Sequence, residues 1–366
     1  MKREKLNGRL LAFFLVLGLV FLAACGSNGA PSAEQNPPAE ESPSEQPSEQ
    51  SEQKPEEQPS VVTEPMNLTM AAGSAGGASQ AIGEAIGEAI KRTVPGTSFT
   101  YQPSKYGANP PLVGEGNAEL GMDAGDFPYW AYNGMEIYPK AYPNLRVIAF
   151  LHDTAWSMGI RKDTGITSIQ EIVDKKFPLK LSVNTKNGLI EYPNRWVFAE
   201  YGFSYEDIEQ WGGTVNFSAG GEAANLFKDR QLDAVAWQAQ QPLSVFLDIY
   251  KAVPVTWLEP SPEVVKNVIE KHPSARPYTI PQSMYADLGM TEDYETFSMP
   301  MFLIASTEMT NSEAYTIAKA IYDNIDYLQT ASDVYKDLSK ETIVPQAGIP
   351  IHPGAEAFYR EVGLIQ

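Results

Sequence analysis

The chain has 366 residues, and its 27 Lys and Arg against 46 Asp and Glu give a formal net charge of −19. This balance argues against a nucleic-acid partner, because binding to phosphate backbones depends on clustered positive charge. Hydrophobic residues make up 43% of the chain, enough for a real core, and the length allows one large domain or two of ordinary size. The single cysteine excludes an internal disulfide and a cysteine-built metal site within one chain.

The first 24 residues predict a secretory signal. Four cations and one Glu precede an apolar run at residues 10–24, which is shorter than the roughly 20 residues of a membrane-spanning helix. The run ends in Leu22-Ala23-Ala24-Cys25-Gly26, which resembles the bacterial lipobox. That resemblance implies that Cys25 is lipidated and becomes the first residue of the mature protein. The alternative is an uncleaved anchor with an incidental cysteine.

Residues 25–65 predict a disordered acidic tether behind the lipidated cysteine. Residues 26–65 contain eight Pro, seven Ser, nine Glu and a single Lys, and they cannot bury enough apolar surface to offset their ordering entropy. Charge repulsion and proline extend such a segment. We therefore expect an extracytoplasmic protein that is anchored by lipid to the outer face of the cell membrane, in a bacterium with a single membrane.

From Met66 onward the pattern alternates between strands and helices. The predicted strands are 66–72, 98–102, 119–124, 145–151, 156–161, 179–183, 215–218, 232–237 and 253–258. The predicted helices are 78–94, 168–176, 193–201, 221–230, 262–271, 312–328 and 355–362. Such alternation predicts an α/β fold with mainly parallel sheets, and about 300 residues of it exceed one ordinary core, so we expect two lobes.

Ligands in such folds bind beyond the carboxyl ends of the strands. The first strand leads through the loop Gly73–Ser79 into a helix, where exposed backbone N–H groups suit an anion, although a plain tight turn explains the loop equally well. Its glycines do not fit a nucleotide-binding motif. Trp237 and Gln238 lie at the end of another strand and could supply an apolar wall and an amide, or Trp237 could simply pack in a core.

The part of the sequence from Met66 onward contains no known catalytic signature. The chain has no GxSxG or HExxH motif and no pair of histidines at metal-ligand spacing, and its SxxK match at residues 51–54 lies in the predicted tether. Composition alone does not exclude a hydrolase with paired carboxylates, but nothing singles out such a pair. We therefore expect no enzymatic activity, no cofactor and no metal.

Several stretches of residues 66–366 resemble, in order, the solute receptors of tripartite ATP-independent periplasmic (TRAP) transporters, specifically the TAXI subfamily. The segment Ala72–Gly83 matches the family pattern TGGxGGxYYxxG, and Gln231-Leu232-Asp233-Ala234 matches its G.IDA pattern. The ending from Ile351 to Gly363 is similar to the family's HPGA…YY.E.G. Shorter matches lie at Asn109, 116–126, 145–149 and 166–172.

The resemblance implies a type II periplasmic-binding-protein fold, in which two lobes with mainly parallel sheets are joined by crossing hinge strands and close on a small ligand. The crossing strands would lie near Trp156–Arg161 and Phe297–Ala305. Lobe I would comprise residues 66–160, lobe II residues 161–290, and residues 291–366 would return to lobe I and form the C-terminal helices.

The predicted ligand site lies between the lobes, at loops that follow strands. Its predicted contacts are Gly73, Ser74, Ala75, Gly76, Gly77, Ser79, Asn109, Asp126, Lys186, Asn187, Gly188, Trp237 and Gln238. Lys186 is the predicted counter-charge for a carboxylate, with Lys105 as the alternative. His352, which precedes Pro353 and Gly354, fits a helix start better than a catalytic role.

The sequence departs from the family pattern at two pocket positions. The family's two tyrosines after the glycines are Ser79 and Gln80 here, and its Gly-Ser-Gly loop in the second lobe is replaced by residues 184–188. The glutamate-like and other carboxylate ligands associated with the family therefore cannot be assigned directly to this chain. The acidic domain also provides no general attraction for anions, so a carboxylate would need local donors.

The favoured interpretation is a monomeric receptor that captures a small organic solute, a carboxylate or an amino acid, and delivers it to a TRAP membrane permease. Its partners would be the solute, the permease subunits and, through the lipid anchor, the membrane, but not nucleic acid. One alternative is a solute-binding lipoprotein of an ABC-type transporter. The other is a surface lipoprotein enzyme or sensor on the same scaffold.

Overall fold

The computed structural model describes residues 58–366 except Gly76, Gly77 and Ala219. The predicted signal segment, Cys25 and the predicted tether up to residue 57 lie outside this described part. Within it, no helix combines the length and the apolar character needed to cross a membrane. Val61 and Val62 pack against the hydrophobic core, and the Val62 N–H donates to Thr316 Oγ1 at 2.9 Å, so ordered packing begins before Met66.

The described strands form one sheet in the order β2-β1-β3-β10-β4-β7-β5-β6, with β8 beside β4 and β9 beside β10. The strands are β1 Asn67–Ala72, β2 Ser98–Pro103, β3 Leu120–Ala124, β4 Leu145–Arg161, β5 Lys180–Ser182, β6 Thr214–Asn216, β7 Ala234–Ala239, β8 Val255–Trp257, β9 Arg276–Ile280 and β10 Tyr294–Ser306. The ladders β2-β1-β3 and β7-β5-β6 are parallel, as predicted. The ladders formed by β4 and β10 are antiparallel.

Helices pack against this sheet and complete the α/β architecture. They are α1 Ala78–Thr93, α2 Asn109–Gly114, α3 Phe127–Asn133, α4 Ile169–Asp174, α5 Tyr192–Glu200, α6 Tyr205–Gln210, α7 Gly220–Lys228, α8 Ser244–Ala252, α9 Pro262–Lys271, α10 Asn311–Asp323, α11 Ile325–Ala331 and α12 Pro353–Glu361. Helix α1 packs closely on β2, because a Cβ on Gly87 would lie only 2.4 Å from the Phe99 ring.

Two hydrophobic cores meet along β4 and β10. One core takes residues up to Leu151 and again from Met299 onward, and Leu189 and Tyr192, next to the start of α5, also pack in it. The other core takes its residues from between Ala155 and Phe297. The long strands β4 and β10 therefore each carry the chain from one core to the other. Two α/β lobes joined by a pair of crossing strands confirm the predicted type II periplasmic-binding-protein fold. We refer to the two parts as lobe I and lobe II.

Two element predictions were wrong. Residues 145–151 and 156–161 belong to one continuous strand, β4, because the polar residues between them are buried with partners: Thr154 Oγ1 donates to the Met299 carbonyl at 2.7 Å, and Asp153 pairs with Arg276. The predicted helix 312–328 breaks at Asn324, whose Nδ2 donates to the Ala320 carbonyl at 2.8 Å.

Candidate functional site

Polar side chains are buried where β4 and β10 pass from one lobe to the other. His152 of β4 lies opposite Met301 of β10, and Met301 in turn lies opposite Ala124, the last residue of β3. Gln238 of β7 reaches into the same place, where its Nε2 donates to the Thr154 carbonyl and lies 3.3 Å from Thr154 Oγ1. We call this group, His152, Thr154 and Gln238, the hinge cluster.

Two acceptors of the hinge cluster have no donor among the described residues. The Thr154 carbonyl can only accept, so Gln238 must direct Nε2 toward it, which leaves Gln238 Oε1 buried and unpaired. His152 Nδ1 lies 3.1 Å from the Asp153 carbonyl and must carry the proton there. Burial lowers the pKa of His152 to about 4, so the ring is neutral at physiological pH and its unpaired Nε2 is an acceptor.

The loop after β1 is held by two tyrosines that the sequence analysis did not include. The Tyr101 hydroxyl donates to the Gly73 carbonyl at 2.8 Å, and the Tyr106 hydroxyl lies 2.6 Å from Ser79 Oγ. Burial raises the pKa of Tyr106, so it remains a neutral phenol. Ser74 and Ala75 are exposed, whereas Gly76 and Gly77 lie outside the described residues. Tyrosine hydroxyls thus reach this loop from β2 and the segment after it.

Asn109 and Asp123 are buried beside the end of β3. Asn109 Nδ2 donates to the Met122 carbonyl at 2.7 Å, and Asn109 Oδ1 has no donor among the described residues. The Asp123 carboxyl accepts from the backbone N–H groups of Gly107 at 2.7 Å and Ala124 at 2.9 Å. Burial raises the pKa of Asp123 to about 8, against the lowering effect of these two bonds. Asp123 is therefore largely protonated at neutral pH.

Asp126, which was predicted to lie near the ligand, forms hydrogen bonds between the two lobes. Its fully buried carboxylate follows β3 in lobe I and accepts from Ser274 Oγ at 2.6 Å, from the Ser274 backbone N–H at 3.1 Å and from His272 Nδ1 at 2.7 Å. His272 and Ser274 follow α9 of lobe II. We call these three residues the clasp.

Aromatic rings reinforce the clasp. Tyr192 of α5 packs edge-on against Phe127 and Trp130 of α3 at centroid distances of 5.7 and 5.5 Å. Trp196 stacks on His272 at 3.6 Å and meets Trp130 edge-on at 6.2 Å. The amino-terminal halves of α3 and α5 therefore touch across the lobe boundary, so the lobes are closed together on this side.

The residues predicted at the second-lobe loop lie on a cavity whose walls all come from lobe II. Lys186 and Asn187 line this cavity of about 580 Å³ together with residues of α5, α6 and β6. Gly188 accepts, through its carbonyl, from the N–H groups of Glu191 and Tyr192, which forms the turn into α5. Lys105, the alternative counter-charge, is exposed on lobe I.

Trp237 belongs to the core of lobe II. It is 2% exposed and packs against Phe246 of α8 at 5.7 Å. This position agrees with the alternative interpretation of Trp237, in which its side chain packs in a core and does not form a wall of the ligand site. Its neighbour Gln238 points to the opposite face of β7, as strand alternation requires, and so reaches the hinge cluster.

His352 is structural, as predicted. Its Nδ1 accepts from the Gly354 N–H at 3.2 Å and caps α12, while its Nε2 donates to the Met309 carbonyl at 3.0 Å. Burial lowers the pKa of His352, consistent with a neutral ring. Within residues 58–366 as described, no three His, Cys, Asp or Glu side chains gather in a way that could hold a metal ion.

Sequence patterns did not predict a role for His152, Thr154, Asp123, Tyr106 or the partners of Asp126. A polar run inside an otherwise apolar strand, as at residues 152–154, was the available signal for the hinge cluster. The partners of Asp126 gave no such signal, because His272 and Ser274 lie almost 150 positions further along the chain.

The fold and the buried polar groups at the lobe junction define a two-lobed α/β protein of the periplasmic-binding-protein class. The chain belongs to the NMT1-like family, whose model matches residues 70–363.

The chain is also similar to several solved structures at low sequence identity. One is a TctC solute-binding protein from Polaromonas, with 13% identity, a TM-score of 0.47, and coverage of 74% of this chain and 86% of that chain. Another is PhnD1 from Prochlorococcus marinus in complex with methylphosphonate, with 13% identity, a TM-score of 0.46, and coverage of 82% and 100%. A third is MatC from Rhodopseudomonas palustris with bound malate, with 11% identity, a TM-score of 0.46, and coverage of 83% and 100%.

Proposed function

We propose that this protein is the extracytoplasmic solute receptor of a TRAP transporter of the TAXI type, which captures a small organic solute between its lobes and delivers it to a membrane permease. The observation that carries the proposal is the pair of separate hydrophobic cores joined through β4 and β10. Two lobes connected in this way can rotate about the crossing strands, which is the usual motion of binding proteins. The sequence motifs at both ends of the domain support the TAXI assignment.

The proposed ligand site combines the loop Gly73–Ser79 of lobe I with the hinge cluster. Gln238 Oε1 and His152 Nε2 are both acceptors, so the part of the solute placed there should carry N–H or O–H donors. The amino group of an amino acid meets this requirement. A carboxylate would suit the start of α1, which has no acidic residue in its first turn.

The receptor acts by binding alone in this proposal. The sequence contains no GxSxG or HExxH motif, and the unpaired atoms of the hinge cluster, Gln238 Oε1 and His152 Nε2, are acceptors rather than a nucleophile with its base. Lipidation of Cys25 would keep the receptor at the outer face of the membrane, close to its permease. An adjacent gene for a fused TRAP permease would support this assignment over an ABC-type receptor, which would have an ATPase neighbour.

A thermal-shift screen with amino acids, dicarboxylates and other small organic acids tests the proposal. A solute at 100 times its Kd should raise the free energy of unfolding by about 2.7 kcal/mol. The stabilising solute should also be recovered unchanged by mass spectrometry after incubation with the protein. Chemical conversion of the solute would instead establish the enzyme alternative, and a screen without any stabilising solute would count against the receptor.

A further inference from the structure

We propose that lobe II carries a second binding site, in the cavity lined by Lys186 and Phe217, for a small aromatic zwitterion such as a free aromatic amino acid. The cavity measures about 580 Å³, within the range of roughly 300–1,000 Å³ found for small-molecule sites. Its lining comes from α5, α6 and the segments that follow β5 and β6, and the hinge cluster contributes nothing to it.

Aromatic rings form the apolar part of this cavity. Phe198 and Phe203 are buried and stacked at a centroid distance of 4.7 Å. Tyr205 meets Phe198 and Phe217 edge-on, at 6.1 Å in each case. Tyr205 and Phe217 are only partly buried, so both offer ring surface to an aromatic ligand, and such ring pairs are stabilised beyond the burial of area.

The cavity has one uncommitted cation. Lys186 Nζ lies 5.2 Å from the centroid of the Phe217 ring, and it has no carboxylate partner among the described residues. Arg195, the other cation of the lining, is already held by Glu191 at 2.6 and 2.7 Å and by Asn187 Oδ1 at 2.9 Å. Lys186 is therefore the group available to a ligand carboxylate.

Two uncommitted carboxylates line the cavity from α6. Glu206 and Glu209 are exposed, and neither forms an ion pair within the described part of the chain. An α-ammonium group on the ligand would pair with them while the carboxylate pairs with Lys186. An aromatic acid that lacks the amine would be repelled by these two Glu residues and would have no ammonium group to pair with them. An aromatic amine that lacks the carboxylate would be repelled by Lys186.

This inference is independent of the proposed transport function, because every residue in the argument belongs to lobe II. The experiment is titration calorimetry of the purified protein with L-phenylalanine, phenylacetate and phenethylamine. L-Phenylalanine should bind, and each analogue should bind at least tenfold more weakly. Lys186→Met and Phe217→Leu should each weaken L-phenylalanine binding at least fivefold. The matched control, Lys175→Met, changes an exposed lysine of lobe II that does not line the cavity and should leave the affinity unchanged.

Three results would overturn the proposal. The first is no binding of L-phenylalanine at millimolar concentration, and the second is equal affinity for it in wild type, Lys186→Met and Phe217→Leu. The third is loss of L-phenylalanine binding in Gln238→Met with full binding in Lys186→Met. The last result would place the amino acid at the hinge cluster instead. If the aromatic amino acids are the sole solutes of the screen that stabilise the protein, and Lys186→Met abolishes that stabilisation while Gln238→Met does not, the result would count against the receptor function and leave the lobe II site established.

Discussion

The carboxylate of Asp126, beside β3 of lobe I, accepts a 2.7 Å hydrogen bond from Nδ1 of His272, at the end of α9 in lobe II. Ser274 adds its hydroxyl and its backbone N–H to the same carboxylate. A fully buried carboxylate of one lobe is thus satisfied by the other lobe. Because an unpaired buried carboxylate is costly, this contact favours the closed arrangement even without a solute.

Replacement of Asp126 by Ala should shift the protein toward an open form. The substitution removes an acceptor of three hydrogen bonds, and bonds to a charged group contribute about 1.5–3 kcal/mol each. Small-angle scattering without solute should show a larger radius of gyration than for the wild type. Glu356→Ala, which removes an exposed ion pair with Arg360 on α12, serves as the control and should leave the radius unchanged. Identical radii for Asp126→Ala and wild type would show that the clasp has no role in closure.

Asp123 should make the protein less stable as the pH rises from about 4 to about 8. Its pKa is raised to about 8 by burial, from an ordinary value near 4, so the folded state holds a proton that the unfolded chain releases. The stabilisation is fully present below the unfolded pKa and is lost as the pH rises through the folded pKa. Urea unfolding of wild type and Asp123→Asn between pH 5 and pH 9 measures it.

The difference in the free energy of unfolding between pH 5 and pH 9 should be smaller in Asp123→Asn than in wild type, by a few kcal/mol on the scale of about 1.4 kcal/mol per pKa unit. Comparing the variant with wild type removes the contribution of other titrating groups to this difference. One of them is His152, whose lowered pKa makes the protein more stable as the pH rises on the acid side, opposite to the effect of Asp123. Parallel pH profiles would mean that Asp123 titrates normally. The variant itself should be less stable at low pH, because an Asn Nδ2 cannot accept from the Gly107 N–H.

Trp237 should affect stability and not ligand affinity. Trp237→Ala removes a large buried side chain that packs on Phe246, and such truncations cost about 3–5 kcal/mol. Trp237→Phe should lower the free energy of unfolding by less than Trp237→Ala does. The Trp237→Phe protein should bind the solute found in the screen with wild-type affinity, measured by calorimetry. A large loss of affinity in Trp237→Phe at an unchanged melting temperature would place the indole in the ligand site.

Cys25 should carry the membrane anchor. Cys25→Ser should release the protein into the medium or leave an uncleaved precursor, because stable anchoring takes about two acyl chains and the lipobox interpretation attaches them to this residue. Cell fractionation and the mass of the mature protein check both outcomes. Normal processing and membrane attachment of the variant would contradict the lipobox interpretation.

Helices whose start is marked by neighbouring residues in the sequence were predicted most accurately. Helix α9 spans Pro262–Lys271 as predicted, because Ser261 caps it and Pro262 fits its first turn. The crossing strands were located, but β4 was divided in two. The polar run at residues 152–154 resembles a loop until its partners in β10 and β9 are known.

The clasp could not be predicted from local patterns. Asp126 and His272 are 146 positions apart, and neither has a neighbouring residue that marks it as a lobe-to-lobe contact. The orientation of Lys186 was equally inaccessible, because it depends on the Phe217 ring, which approaches from the segment after β6. Long-range packing decided both positions.

The division of the two cores along the chain also has a consequence for how the protein is made. The core of lobe II is drawn from the stretch between Ala155 and Phe297, in which Leu189 and Tyr192 pack in the other core, whereas the sheet of lobe I is incomplete until β10 takes its place between β3 and β4. A chain emerging from the ribosome can therefore assemble lobe II first. Lobe I must wait, with the edges of β3 and β4 unpaired, for residues up to Ser306.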